Sequence, residues 1–265
     1  MKEALIQALT QSGKLVMNEF GKIQAFQQKE YNASIVTEVD LASENLIVRI
    51  ITAKFPDHNI IGEETGFRDN NSSFTWVIDP IDGTSNFAVG LPWFGILICV
   101  MKNNEPFLAG ANLPYYNKLY FAEKGNGAYC NHEKIHCSLE TMAGNVLVSY
   151  SLDFSNNDTK LNSEMKYMRE IVKHSRNLRA TNSAVDICYT AEGRLGACMN
   201  QTCKIWDIAA LSLISSEAGA VVTDFHGGPI DFSTDSSNYM RNFDFLIANK
   251  TLHEIFSGII LSVKK

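Results

Sequence analysis

The chain has 265 residues, about 45% of them hydrophobic, and carries a formal charge of −6. That length and apolar content allow one large core or two closely packed lobes, while the acidic balance and the lack of any basic run argue against a nucleic-acid surface. No apolar stretch approaches the length of a membrane span, and no low-complexity linker or internal repeat divides the chain.

In chain order, Ala4 to Phe20 and Asp40 to Phe55 read as amphipathic helices, the second stopped by Pro56. The opening Met1-Lys2-Glu3-Ala4-Leu5 belongs to the first of these patterns and does not read as a signal peptide. Strands then dominate, around His58 to Ile61, Phe74 to Asp79, Trp93 to Met101, Phe107 to Leu113 and Lys118 to Glu123, with Asn103-Asn104 as a turn. This block reads as helices on a mostly antiparallel sheet. From Val146 onward strands alternate with helices at Lys160 to His174, Ser183 to Glu192, Asp207 to Ala218 and Thr251 to Leu261, which predicts a second, smaller α/β sheet. Two subdomains are expected, residues 1–144 with the larger sheet and 145–265 with the smaller one.

The chemistry concentrates in Asp79-Pro80-Ile81-Asp82-Gly83-Thr84-Ser85-Asn86-Phe87. Phe74, Trp76 and Ile78 alternate with Thr75 and Val77 as a buried strand delivering Asp79 at its end. Pro80 has no backbone donor, so the strand is expected to stop there in a sharp turn holding Asp79 and Asp82 close together. Carboxylates that near each other repel unless a cation lies between them, and a hard divalent ion such as magnesium takes oxygen ligands. Gly83 permits a close backbone approach, and Thr84-Ser85-Asn86 reads as a helix start whose free N–H groups favour an anion. Glu63-Glu64 follow the apolar Ile60-Ile61-Gly62, and Asp207 opens the helical Ile205-Trp206-Asp207-Ile208-Ala209-Ala210. Each of these acids alone would serve equally as a turn, loop or cap residue.

In this order, the segments resemble the inositol monophosphatase family, within the magnesium-dependent, lithium-sensitive phosphatases. Trp76 to Phe87 is similar to the family's W-x-I-D-P-I-D-G-T-x-N-F, and Gly62-Glu63-Glu64 to its G-E-E. Trp206 to Ala210 with Glu217-Ala218-Gly219-Ala220 resembles its W-D-x-A-[AG] and E-A-G-G segments. The resemblance implies an α/β (α+β) fold, a layered α-β-α-β-α sandwich. It also implies a phosphomonoesterase with two or three Mg2+ ions per site, and a homodimer. Glu63, Asp79 and the Ile81 carbonyl would hold one ion; Asp79, Asp82 and Asp207 would hold a second. Glu63 and Thr84 would deprotonate a metal-activated water, and the Gly83 and Thr84 N–H groups would hold phosphate oxygens. Lys29 in the preceding loop, Asp40 at the end of Val36-Thr37-Glu38-Val39-Asp40, which resembles V-T-x-x-D, and Glu64 would be accessory residues.

Departures cluster where the alcohol should bind. Asn200 stands where the family commonly has a glutamate, Thr181-Asn182-Ser183-Ala184 replaces G-[ST]-A-A, and Ser34 replaces a frequent Asp. Contacts from Asp82, Ser183, Asn200 and Asp207 are expected, and inositol monophosphate leads the substrates. Fructose 1,6-bisphosphate, the 2′-phosphate of NADP, histidinol phosphate and 3′-phosphoadenosine nucleotides remain open, as does a regulatory binding protein on the same fold. Arg179 could grip a second phosphate or form a surface ion pair. The six cysteines include no C-x-x-C pair and read as reduced structural thiols. Cys130 to Cys137, with His132 and His136, could host zinc by spacing, but its flanks read as a hairpin. A cytoplasmic protein with a small phosphorylated substrate and no nucleic-acid or membrane partner is expected.

Overall fold

The computed structural model describes residues 1–22, 26–30 and 34–263. Helix α1 (Lys2–Glu19) leads to a ribbon of β1 (Phe26–Glu30) and β2 (Ser34–Thr37), then helix α2 (Glu38–Lys54). Next come β3 (Asn59–Gly62), β4 (Gly66–Arg68), β5 (Phe74–Asp82) and the short helix α3 (Thr84–Ala88). The larger sheet is completed by β6 (Gly95–Lys102), β7 (Glu105–Leu113), β8 (Lys118–Glu123), β9 (Ala128–Cys130) and β10 (Glu133–Lys134). It has eight strands in the order β10-β9-β8-β7-β6-β5-β3-β4, and every pairing but β3 with β5 is antiparallel.

The second sheet begins at β11 (Leu147–Ser151), followed by α4 (Asp158–His174), β12 (Asn177–Arg179), α5 (Ala184–Ala191) and β13 (Ala197–Cys203). Helix α6 (Ile205–Glu217), β14 (Val221–Thr223), β15 (Phe243–Ala248) and α7 (Lys250–Val263) finish the described chain. Its five strands run β12-β11-β13-β15-β14. The expected hairpin turns are present: Asn103-Asn104 and Asn131-His132 all have positive φ, as two-residue primed turns require.

Strand alternation builds the layers. Trp76, Ile78, Ile96, Ile98 and Val100 face α1 and α2, packing on Leu5, Leu9, Ile47 and Ile51. Their neighbours Val77, Leu97, Cys99 and Met101 face α5 and α6 on the other side. The second sheet divides in the same way. Cys198, Phe245 and Ile247 turn toward α5 and α6, whereas Met199, Leu246 and Ala248 turn toward α4 and α7. The result is an α-β-α-β-α sandwich. Helix α6 lies at its centre and is buried almost all round, from Ile205 and Trp206 through Ile208 to Ser215, so its sequence is apolar on every face.

The expectation that β5 stops before Pro80 is corrected. The strand continues to Asp82, and its register against β6 shifts between Asp79↔Leu97 and Asp82↔Gly95. Three steps on β5 there match two on β6, which defines a bulge. A bulge leaves a residue out of the ladder, so the missing donor of Pro80 costs no hydrogen bond.

Candidate active site

Alternation on β5 turns Asp79 toward the central helices, and the bulge brings Asp82 to the same edge. Asp79 is 1% exposed, and its Oδ1 is buried with no hydrogen-bond partner among the described residues. Asp207 enters from the first turn of α6, where its Oδ2 accepts the Lys204 N–H at 2.6 Å. Asp79, Asp82 and Asp207 each offer a carboxylate oxygen within 4.8 Å of the others, the single such group of His, Cys, Asp or Glu among the described residues. The cysteines and histidines at 130–137 form no such group among the described residues, and all six cysteines are free and buried.

The electrostatics match crowded, poorly solvated carboxylates. Burial, then the charge of Glu63, pushes the Asp79 carboxyl well above its usual range. Burial and the neighbouring Asp207 do the same to Asp82, and burial raises Asp207 to about 6. An orphaned buried oxygen and three carboxyls held away from ionisation fit an oxygen-seeking divalent cation, which would supply the missing charge.

Glu63 follows β3, and its N–H donates to Ile78 O at 3.2 Å, which places it across the parallel β3–β5 ladder from Asp79. Beyond Asp82, Gly83 caps α3 with φ of 83°, and a Cβ there would lie 2.6 Å from the Trp93 carbonyl oxygen. Only glycine fits. Thr84 Oγ1 sits 2.8 Å from Ile81 O and 3.0 Å from Asp40 Oδ1. Asp40 is fully buried, and its Oδ2 accepts the Thr37 N–H at 2.9 Å as part of the α2 capping box. Glu64 sits in the turn after Glu63. Lys29 is on β1, and its side chain lies outside the described part of the structure.

Glu63, Asp82, Gly83, Thr84 and Asp207 line a cleft of about 260 Å³. Its far wall comes from the second sheet and α5, through Ser151, Asp153, Ser183, Asn200 and Thr202. Ser183 caps α5 by accepting the Val185 N–H at 3.3 Å, and Asn200 Oδ1 accepts the Thr202 N–H at 2.7 Å. Asp82 Oδ1 accepts the Ala184 N–H, tying the bulge to the start of α5. Asn86 makes a second tie, donating from Nδ2 to Trp93 O and Thr181 O, each at 2.9 Å. Arg179 is exposed and donates to the Leu178 carbonyl.

Three acids at or behind the cleft escape a reading of the sequence. Asp153 lines the far wall and accepts from Asn182 Nδ2 at 3.1 Å. Asp186, 4% exposed on α5, accepts the Thr181 N–H at 2.9 Å and is held above the usual carboxyl range by burial. Glu44 is fully buried on α2 and accepts the N–H groups of Glu64 and Thr65 at 2.9 and 2.8 Å. No local motif marks any of them; for Glu44, the signal available is its i, i+4 spacing from Asp40.

Known proteins resemble this chain over nearly its whole length. The model of the Inositol monophosphatase family matches residues 1–261. A fructose-1,6-bisphosphatase/inositol-1-monophosphatase of Aquifex aeolicus is 33% identical over 100% of this chain and 95% of its own. A Nus factor SuhB of Haemophilus influenzae is 32% identical over 98% of this chain and 95% of its own. Among solved structures, an IMPase of Thermotoga maritima superposes with a TM-score of 0.85 at 31% identity, covering 98% of this chain and 96% of that one.

Proposed function

The chain belongs to the inositol monophosphatase family and is a phosphomonoester hydrolase, and from that premise we propose that it hydrolyses inositol monophosphate to inositol and phosphate with magnesium. One observation carries the metal-assisted reading: the unpartnered, buried Asp79 Oδ1 lies in a carboxylate group with Asp82 and Asp207 at the edge of the cleft. In this reading Glu63, Asp79 and the Ile81 carbonyl would hold one ion, and Asp79, Asp82 and Asp207 would hold the second. Bound magnesium lowers the energetic cost of ionising water and offsets charge on the phosphoryl group.

The protein's own groups do the rest. Glu63 and Thr84 orient the attacking water and accept its proton, with Asp40 fixing the Thr84 hydroxyl. The N–H groups of Gly83 and Thr84 hold phosphate oxygens, while Asp82, Ser183, Asn200 and Asp207 face the alcohol. Lys29 and Glu64 would act as accessory groups, the latter either outside the ligands of the two ions or against a weaker third ion.

The name of the Aquifex relative supports fructose 1,6-bisphosphate as a further substrate; NADP, histidinol phosphate and 3′-phosphoadenosine nucleotides are tested beside it. The Nus factor relative favours a second reading, a regulatory binding protein on the same fold. The complete set of Glu63, Asp79, Asp82, Thr84 and Asp207 supports catalysis over that alternative. We also propose a lithium-sensitive homodimer, with residues 1–144 and 145–265 as its two subdomains, working in the cytoplasm. Among the described residues no helix is long and apolar enough to cross a membrane, and the six free cysteines fit a reducing compartment.

The test is a phosphate-release panel of inositol 1-phosphate, fructose 1,6-bisphosphate, NADP, histidinol phosphate and adenosine 3′,5′-bisphosphate, with magnesium and with a chelator. Release should require magnesium, be nearly abolished by Asp207→Asn, and be most efficient for inositol 1-phosphate. Release that persists under chelation would overturn the reaction; a different leading substrate would overturn only the choice of alcohol.

A further inference from the structure

Helix α2 carries a buried polar stripe, Asp40, Ser43 and Glu44, each fully removed from solvent. A buried carboxylate is costly unless every oxygen is engaged, so the partners of Glu44 are informative. Its Oε2 accepts the N–H of Glu64 and its Oε1 the N–H of Thr65. Both bonds go to the backbone immediately after Glu63. The adjacent Ser43 donates from Oγ to Pro80 O at 3.0 Å, next to Asp79, and is backed by Ser12 Oγ of α1 at 2.6 Å. Two consecutive residues of one helix thus grip the segment after Glu63 and the segment after Asp79.

Gly62 is the counterpart of this arrangement. A Cβ on Gly62 would lie 2.2 Å from Glu44 Oε1 and 2.7 Å from its Cδ. The absence of a side chain there lets the carboxylate slide under the turn. Glu63 is then fixed from both sides, by its own N–H on Ile78 O and by Glu44 on the following peptide.

We propose that Glu44 is a positioning residue for the metal-binding loop, setting where Glu63 presents its carboxylate and hence how tightly the site takes a divalent cation. The proposal rests on the reading of Glu63 as a metal ligand. Outer partners of metal ligands typically change affinity by about 10–100-fold when removed. Glu44→Gln retains one acceptor but turns an NH2 donor toward a backbone N–H. Gly62→Ala keeps the Glu44 charge and displaces the side chain, so it separates position from charge.

The experiment titrates magnesium alone into the folded full-length protein by calorimetry, and in parallel measures the magnesium dependence of kcat. Glu44→Gln and Gly62→Ala should each weaken magnesium binding by about 10-fold or more, while kcat at saturating magnesium stays within about 3-fold of the parent. Wild-type magnesium affinity in folded Glu44→Gln would overturn the proposal. So would wild-type affinity in Gly62→Ala, which also decides the matter if Glu44→Gln does not fold. A Glu63→Gln control keeps the two readings apart: unchanged affinity there removes the premise, whereas lost affinity there with intact affinity in the other two variants defeats the inference alone.

Discussion

Asp79, Asp82 and Asp207 make the metal-free site a source of instability. All three carboxyls are raised by burial, and those of Asp79 and Asp82 also by neighbouring carboxylates, whereas an unfolded Asp titrates near about 3.9. The metal-free fold therefore binds more protons than the unfolded chain above about pH 4. That proton-linked stability is complete below about pH 4 and is lost as pH rises through about 6 for Asp207, and through the raised values of its two neighbours. If magnesium takes the place of those protons, as proposed, the rise in Tm that it produces should be larger at about pH 8 than at about pH 5.5. A rise independent of pH would contradict the assignment. Asp82→Asn keeps the acceptor for the Ala184 N–H and removes one charge. The metal-free variant should melt higher at about pH 8, by on the order of 1 kcal/mol for each pKa unit of repulsion relieved, and should lose most of the magnesium-induced gain. Asp79 and Asp82 were legible from sequence because their spacing is local. Glu44, Asp153 and Asp186 were not, because a buried acid on a helix or loop is spelled the same as an exposed one.

At the level of elements, Pro80 shows why strand ends are harder to read than strands. The alternation from Phe74 to Ile78 specifies a buried strand, but whether a proline ends it depends on the partner strand. Here β6 tolerates an extra residue, so β5 bulges and continues. The Glu217 of the E-A-G-A segment gives a similar lesson. It closes α6 at the end opposite Asp207 and accepts the N–H groups of Gly125 and Gly127, both at 2.7 Å, fixing the turn between β8 and β9. Motif membership alone does not separate that framework role from a chemical one. Glu217→Ala should cost about 1–3 kcal/mol of stability, lowering Tm by several degrees and leaving kcat/KM for phosphate release unchanged. A large loss of activity in the folded variant would return Glu217 to the chemistry.

For the molecule as a whole, the cleft divides its labour between the two sheets. The run at Asp79 to Thr84 and the β3–β4 turn come from the larger sheet, whereas Ser183 and Asn200 come from α5 and the smaller sheet. The layered fold was legible through the family resemblance that the ordered motifs carry, and the two blocks read from periodicity did not contradict it. The meeting of Asn86 with Thr181 and of Asp82 with Ala184 was not, since these pairs join distant parts of the sequence. If the smaller sheet sets the alcohol, Asn200→Glu should shift kcat/KM between inositol 1-phosphate and fructose 1,6-bisphosphate by about 10-fold, within the range one added polar contact can discriminate. Magnesium affinity should stay as it is; equal changes for both substrates would place selection elsewhere.

Helix α6 would give the proposed metal site a role in time as well as in space. Its body packs between the two sheets, and Asp207 at its start faces carboxylates from β5, so an ion held there, as proposed, would join two elements far apart in the sequence. Such a cross-link would act on escape from the native state, because β5 and α6 could not separate until the ion had left. Magnesium should therefore prolong survival in pulse proteolysis by slowing unfolding, with refolding rates scarcely altered.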